Sequence, residues 1–381
     1  MSSAAQPRTE PGTSRVELGG SVNGDFWNRR RVLVTGHTGF KGAWLTYWLA
    51  RLGAEVAGYA LEPATEPSLF RALGLDELCQ HEIGDVRDAG HLGRVLRAFQ
   101  PEVVLHLAAQ AIVLTSYEEP VETFDSNVMG TARLLNELRT CPSVRACVVV
   151  TSDKCYENRE WIWGYRELDP MGGNDPYSAS KGAAELVTHS FRQSFFSAGR
   201  YSEHRLCIAS ARSGNVIGGG DFSAFRLVPD LARAFAAGLP AEIRNPNSVR
   251  PWQHVIDPLR GYLLLAQAGC EHGPRYARGW NFGPAESDTA PVAEVARRFA
   301  EAYGDGARCV IAPVSGAPHE AGLLRLDCSL ARAELGFTPN VGLQNAVTAT
   351  ADWYREFFSG APRNALRELT WGQLSRFGGV V

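Results

Sequence analysis

Short, almost wholly apolar runs alternate with longer amphipathic ones along residues 31–212 of this chain. The short runs, 31–35, 55–59, 103–107, 146–151 and 207–212, read as strands, because a strand covered on both faces has no polar side to show. Between them, 43–52, 124–139 and 177–196 carry apolar residues at helical spacing. Asp175-Pro176 precedes the last of these, a cap followed by a residue suited to the first helical turn. Strand and helix alternating in this way predict an α/β fold, a doubly wound parallel sheet with helices on both faces. Beyond Gly214 the pattern loosens into short elements rich in Gly, Pro, Asn and Arg, which predicts a smaller, less regular mixed α/β lobe.

Residues 1–24 are rich in Ser, Pro, Gly and Thr and lack the apolar segment of a signal peptide, so a disordered tail is expected there. The expected division is a tail at 1–24, a sheet domain at 25–214, and at 215–381 mainly a substrate lobe with some segments returning to the sheet. The net charge of −3 gives no footprint for nucleic acid or an anionic membrane surface. The longest apolar run, 103–114, is broken by His106 and Gln110 and falls short of a membrane span. Eight cysteines are scattered without a C-x-x-C pair or Cys/His ligand spacing. They are expected to be reduced thiols of a cytoplasmic protein without a structural metal.

Candidate chemistry begins directly after the first strand, where the glycines fall as Gly36-x-x-Gly39-x-x-Gly42. The first allows a tight turn, the second allows backbone N–H groups to approach a pyrophosphate, and the third allows helix and strand to pack closely. A Rossmann-type dinucleotide site is expected. In an open parallel sheet ligands bind beyond the carboxyl ends of the strands, so Gly36, Ala108, Ser152 and Gly214, each following a strand, should line one crevice. Tyr177-x-x-x-Lys181 opens a helix, and residues four apart share a helix face. An ammonium beside a tyrosine favours the phenolate, which can take a proton from an alcohol while the same carbon loses hydride to a nicotinamide.

Thr35-Gly36-x-x-Gly39-Phe40-x-Gly42, Asp85, His106-Leu107-Ala108-Ala109, Asn127, Ser152, Tyr177-x-x-x-Lys181 and Asn215 together resemble the extended short-chain dehydrogenase/reductase family, over nearly the whole chain after residue 25. The resemblance implies that Ser152 and Tyr177 hold the substrate hydroxyl. Lys181 would bind the nicotinamide ribose, with Asn127 supporting it through a water, and Asp85 would meet the adenine. Contacts to the cofactor would come from Gly36, His37, Thr38, Gly39, Phe40, Gly42, Val86, Leu107, Ala108, Ala109 and Thr151. NAD is favoured over NADP: no arginine stands at the end of the second strand, where Glu62 follows a few residues late. The bulk of His37 inside the glycine turn suggests weaker cofactor retention.

Longer stretches are similar to the CDP-glucose 4,6-dehydratase branch of that family. These are 36–42, Thr151-Ser152-Asp153-Lys154-Cys155-Tyr156, 169–173, Gly218-Gly219-Gly220-Asp221, Arg250-Pro251-Trp252-Gln253-His254 and His319-Glu320. The branch implies conversion of CDP-glucose to CDP-4-keto-6-deoxyglucose and water with a recycled NAD. Elimination needs an acid at the C6 oxygen and a base at C5, and Asp153 and Lys154 stand where they could supply them. Asn215 and Arg250 would hold the diphosphate, with Arg226 and His254 near the nucleotide, Glu320 facing it and Gln110 near the substrate. The long helices 124–139 and 177–196 would pair in a homodimer. Leu114, where a basic residue is expected, and Phe222-Ser223-Ala224 depart from the branch. A nucleotide-sugar epimerase of the same fold would not need the Asp153-Lys154 pair, and a dehydratase for another nucleotide would share it.

Overall fold

The computed structural model describes residues 19–312 and 324–381. Its main sheet contains β1 (Arg31–Thr35), β2 (Glu55–Ala60), β3 (Gln80–Ile83), β4 (Val103–His106), β5 (Ala146–Val150), β6 (Cys207–Ser213) and, from the distal part of the chain, Gly279–Phe282. The spatial order is Gly279–Phe282, β6, β5, β4, β1, β2, β3, and every pairing is parallel. Strand order reverses beside β1, which pairs with β2 through Val34 and Gly58 and with β4 through Val34 and Leu105. A crevice opens at such a reversal beyond the carboxyl ends of the strands.

The inner strands are apolar because helices cover both faces: all residues of β4 and β5 are buried. Helix Phe40–Arg51 is buried along almost its whole length, from Gly42 to Leu49, because strands lie on one side and distal helices on the other. The edge strand β3, Gln-His-Glu-Ile, is mostly exposed, and its polarity hides it from a search for apolar runs. The helix expected at 124–139 is observed as Pro120–Phe124, a π-turn at Asp125–Met129 and Gly130–Leu138.

The region beyond Gly214 departs from the expectation of short elements. It contains the long helices Ile256–His272, Val292–Tyr303, Leu343–Phe358 and Arg363–Phe377. Ile256–His272 is buried on nearly all sides, so apolar residues occupy almost every position and no amphipathic period shows. Three two-stranded sheets complete this region: Val216–Ile217 with Gln253–His254, Val249–Pro251 with Thr289–Pro291, and Ala241–Ile243 with Cys309–Ile311. At the other end of the chain, part of the expected tail is folded. Val22 is buried and bridges Val380, and Gly24 already begins a helical turn. One apolar side chain with a backbone partner is enough to dock a segment that its composition marks as loose.

Candidate active site

The turn after β1 has the clearances the glycines suggested. Gly36 has φ of +76°, and a Cβ there would lie 2.7 Å from the Ala108 nitrogen at the end of β4. At Gly42 a Cβ would lie 2.1 Å from the Gly36 carbonyl oxygen, so only glycine lets the helix start this close to the turn. Gly39, by contrast, has room around it, and as the N-cap it gives the helix no side-chain hydrogen bond. The first N–H groups of Phe40–Arg51 therefore have no side-chain cap, which suits a pyrophosphate. Thr38 closes the turn by donating to the Leu61 carbonyl at 2.9 Å, and the Phe40 ring lies beneath Gly218.

His37 does not crowd the turn. Its fully buried ring lies over Gly58, where a Cβ would come within 2.2 Å of it, and Nε2 meets His81 Nδ1 at 2.7 Å. Burial, aided by His81, pushes His37 down to about 3. Its side chain belongs to the packing behind the turn, which leaves its backbone as the part that can face a cofactor.

The end of β4 is fastened to β1. Leu107 donates its N–H to the Thr35 carbonyl and Ala108 donates to Thr35 Oγ1, while Ala109 follows at the crevice. Thr35 Oγ1 also meets His106 Nδ1 at 2.7 Å. Asn127, in the π-turn, holds Gln110 at both backbone groups, accepting from its N–H at 2.8 Å and donating to its carbonyl at 3.0 Å, and donates to Ser180 at 2.8 Å. π-Turns of this kind recur at functional sites. The Gln110 side chain is turned inward: its amide donates to Thr123 and its oxygen accepts from the Ile112 N–H. Val86 is buried against Gly130, and both Asp85 oxygens bind Arg87, which holds the carboxyl below its usual range.

Ser152, Asp153, Lys154, Tyr177 and Lys181 converge as expected. Ser152 caps the short turn after β5, accepting from the Lys154 N–H. Its hydroxyl donates to Asp153 Oδ1 at 3.0 Å, and Ser152 is near enough to Tyr177 to favour its phenolate. Burial raises Asp153, against the nearby Lys154 ammonium and the Ser152 hydrogen bond, which is the direction a general acid needs. Tyr177 is not lowered as expected. Burial pushes it up to about 12, outweighing the influence of Ser152, while Lys181 Nζ sits 5.9 Å from the ring centroid and is itself lowered to about 8 by burial. Burial penalises the phenolate more than Ser152 and the Arg226 guanidinium favour it.

Three groups at this site escaped the sequence reading. Glu185, on the face of Lys181 one turn further along helix Pro176–Ser194, accepts from Thr151, Ser210 and Arg212. Its carboxyl is held below the usual range by Arg212 and these hydrogen bonds despite burial. The Thr151 hydroxyl is thus committed to Glu185, 2.5 Å away. Ser116 accepts from the Tyr177 N–H, fixing the start of the catalytic helix. Lys41, inside the glycine turn, donates to Ser213 Oγ at 2.8 Å at the end of β6. The (i, i+4) spacing of Glu185 from Lys181 was the available signal for the first; nothing in the spacing marks the other two.

The substrate-side residues scatter more. Asn215 is exposed just beyond β6, and Arg250 lies on strand Val249–Pro251. Arg226 pairs with Asp221 at 2.8 Å, and its charge reaches Tyr177. His254 corrects the expectation of a nucleotide contact. It is fully buried, edge-on to Trp44 with ring centroids 5.8 Å apart and near Phe377, and burial pushes it down to about 3. A histidine in a polar Gln-His strand reads as ligand-facing until residues distant in sequence close over it. Glu320 lies outside the described residues.

Comparison with known proteins agrees with this geometry. Residues 33–350 match the family model described as GDP-mannose 4,6 dehydratase. The CDP-glucose 4,6-dehydratase of Salmonella typhimurium is 48% identical over 89% of this chain and 94% of its own. A dTDP-glucose 4,6-dehydratase of Streptomyces antibioticus is 28% identical over 85% of this chain and 92% of its own. Among solved structures, the dTDP-glucose 4,6-dehydratase of Streptomyces venezuelae with NAD bound superposes with a TM-score of 0.70 at 26% identity, over 86% of this chain and 97% of its own. The UDP-glucose 4-epimerase of Thermotoga maritima, 22% identical with a TM-score of 0.73 over 86% of this chain and 99% of its own, shares the fold.

Proposed function

This chain belongs to the GDP-mannose 4,6 dehydratase family, within the extended short-chain dehydrogenase/reductases, and from that premise we propose that it converts CDP-glucose to CDP-4-keto-6-deoxyglucose and water with NAD as a recycled cofactor. The observation that carries the reading is the buried, upward-shifted carboxyl of Asp153, hydrogen-bonded to Ser152 beside Tyr177. An epimerase needs the tyrosine but has no leaving hydroxyl for an acid to protonate. The nucleotide follows the Salmonella relative, whose similarity spans both lobes.

The residues fit a dinucleotide: a positive-φ glycine, a helix packed against the turn and an uncapped helix start meet at one strand end. Gly36 to Gly42 would hold the pyrophosphate, Asp85 and Val86 the adenosine end, and Ala108, Ala109, Asn127 and Lys181 the nicotinamide end. When bound, NAD would supply the hydride acceptor for C4 of the sugar and the donor for C6, so no oxidant is consumed. Tyr177 takes the C4 hydroxyl proton while Ser152 orients that hydroxyl. The C4 ketone acidifies C5–H, Lys154 as the neutral amine removes that proton, and Asp153 delivers its own to the C6 oxygen, which leaves as water. Lys154 then returns its proton to C5. Arg250 and Asn215 would bind the diphosphate, where a guanidinium suits paired oxygens.

The cytoplasm is the proposed compartment, supported by eight free cysteines; no helix among the described residues is long and apolar enough to cross a membrane. A homodimer is supported by exposed apolar residues on neighbouring helices: Val121 is 77% exposed, Met129 47% and Leu186 62%. Turnover of CDP-glucose in deuterated water tests the reaction. A dehydratase yields a product lighter by one water that carries deuterium at C5. A product of unchanged mass overturns the reading.

A further inference from the structure

Resting on that reading, we propose that Lys41 is a further member of the reaction centre, the cation that balances Asp153 once it has given its proton to the departing C6 hydroxyl. Lys41 occupies the first turn of helix Phe40–Arg51. Its Nζ donates to Ser213 Oγ at 2.8 Å, and Ser213 in turn meets the Tyr262 hydroxyl at 2.7 Å. The Lys41 Nζ also lies 6.0 Å from the Tyr262 ring centroid. The next residue, Gly214, is where Asp153 arrives: a Cβ on Gly214 would lie 2.8 Å from Asp153 Oδ2. Ser213 and Gly214 thus bring the ammonium and the carboxyl to one strand end, and each acts on the charge of the other.

The chemistry needs a group in this place. Over one turnover Tyr177 gains the C4 hydroxyl proton and Asp153 loses one to the water that leaves, so the centre finishes with a neutral tyrosine and a charged carboxylate. Ser152, hydrogen-bonded to Asp153 and beside Tyr177, is the path by which one proton passes from Tyr177 to Asp153 and resets the site. Between water loss and reset, a carboxylate stands buried from water, where an unpaired charge is strongly disfavoured. The other cations are placed for other tasks: Lys154 takes the C5 proton, Lys181 lies over the Tyr177 ring, and Arg226 is paired with Asp221. Burial, with Arg226 and Lys181 nearby, holds Lys41 down to about 7, so its charge depends on having Asp153 beside it. Lys41 acts through Asp153 and is a positioning residue in that sense.

The test varies how much acid the leaving group needs. Wild-type protein and the variants Lys41→Met and Asp153→Asn are assayed with CDP-glucose and with CDP-6-deoxy-6-fluoroglucose, from which fluoride departs without a full proton. Lys41→Met is expected to lower kcat on CDP-glucose by on the order of 10²-fold, within the range for loss of general acid assistance, and to lower the fluoro substrate by less than about threefold, with Asp153→Asn showing the same split. NAD affinity by calorimetry is expected to stay near that of wild type, which also reports intact folding. Equal losses on both substrates, an unchanged kcat on CDP-glucose, or a defect removed by saturating NAD would each overturn the assignment. Failure of the wild type to release water from CDP-glucose would instead overturn the functional reading on which the assignment rests.

Discussion

On the cofactor side of the crevice, positions are set by backbone clearance. Gly36 and Gly42 admit no Cβ, and β1 and β4 are tied together through Thr35. On the nucleotide side the candidate groups are side chains on short strands and loops, such as Arg250 on a three-residue strand and the exposed Asn215. The reaction centre lies between them and borrows from both: Lys41 comes from the glycine turn, Tyr177 and Lys181 from a long helix, Arg226 from the distal lobe. A clearance has few chemical solutions, whereas a charge can be presented from many places. Substitutions on the first side should damage folding and cofactor binding together, and those on the second should change substrate affinity alone.

The largest effect belongs to the centre itself. Tyr177→Phe should lower kcat by about 10³-fold or more while leaving NAD and CDP-glucose affinity within a few-fold; a smaller loss would move the C4 proton to another group. Acid should then weaken the core that both sides share. His37, His106 and His254 are each held down to about 3 by burial, against 6.5 when unfolded. At these three sites the unfolded chain therefore binds more protons between those values, so their contribution to stability is complete above pH 6.5 and falls as pH drops. Each histidine contributes up to about 1.4 kcal/mol per pH unit in that window. Urea unfolding at successive pH values would show this slope, and a flat profile from neutral pH downward would contradict the buried placements.

Gly42→Ala sharpens the comparison on the cofactor side. A methyl 2.1 Å from a backbone oxygen must displace the helix, with an expected loss of about 1–3 kcal/mol in stability and of NAD affinity along with it. On the nucleotide side, Arg250→Met should raise KM for the nucleotide sugar about tenfold with little change in melting temperature. His254→Phe should leave KM within about twofold, because no ligand reaches a ring enclosed by the core. A KM defect in His254→Phe of the same size as in Arg250→Met would restore the histidine to the nucleotide site.

The extent to which the sequence revealed this molecule follows the same division. Strands β1, β2, β4, β5 and β6 and the glycine turn were legible because burial on both faces and positive φ leave direct marks on residue choice. The Ser152, Tyr177 and Lys181 group was legible because strand end and helix spacing fix where those side chains meet. The distal helix Ile256–His272 was not, since a helix buried all round loses its period. His254 was misread for a related reason, as its enclosure is made by Trp44 and Phe377 from far along the chain. Tyr177 was expected to be acidified because its lysine neighbour is visible in the sequence and its burial is not. Lys41 sat inside the motif without a role, because only the fold shows that its side chain leaves the turn and reaches Ser213.

The most direct test is to incubate the purified protein with NAD and, separately, CDP-, dTDP-, GDP- and UDP-glucose, following product mass and the alkali absorbance of the 4-keto sugar. Loss of one water from CDP-glucose alone, with no net NADH, is the expected result. Loss of water from another nucleotide sugar in its place would contradict the nucleotide assignment, and loss from none of the four with NAD bound would contradict the dehydratase itself.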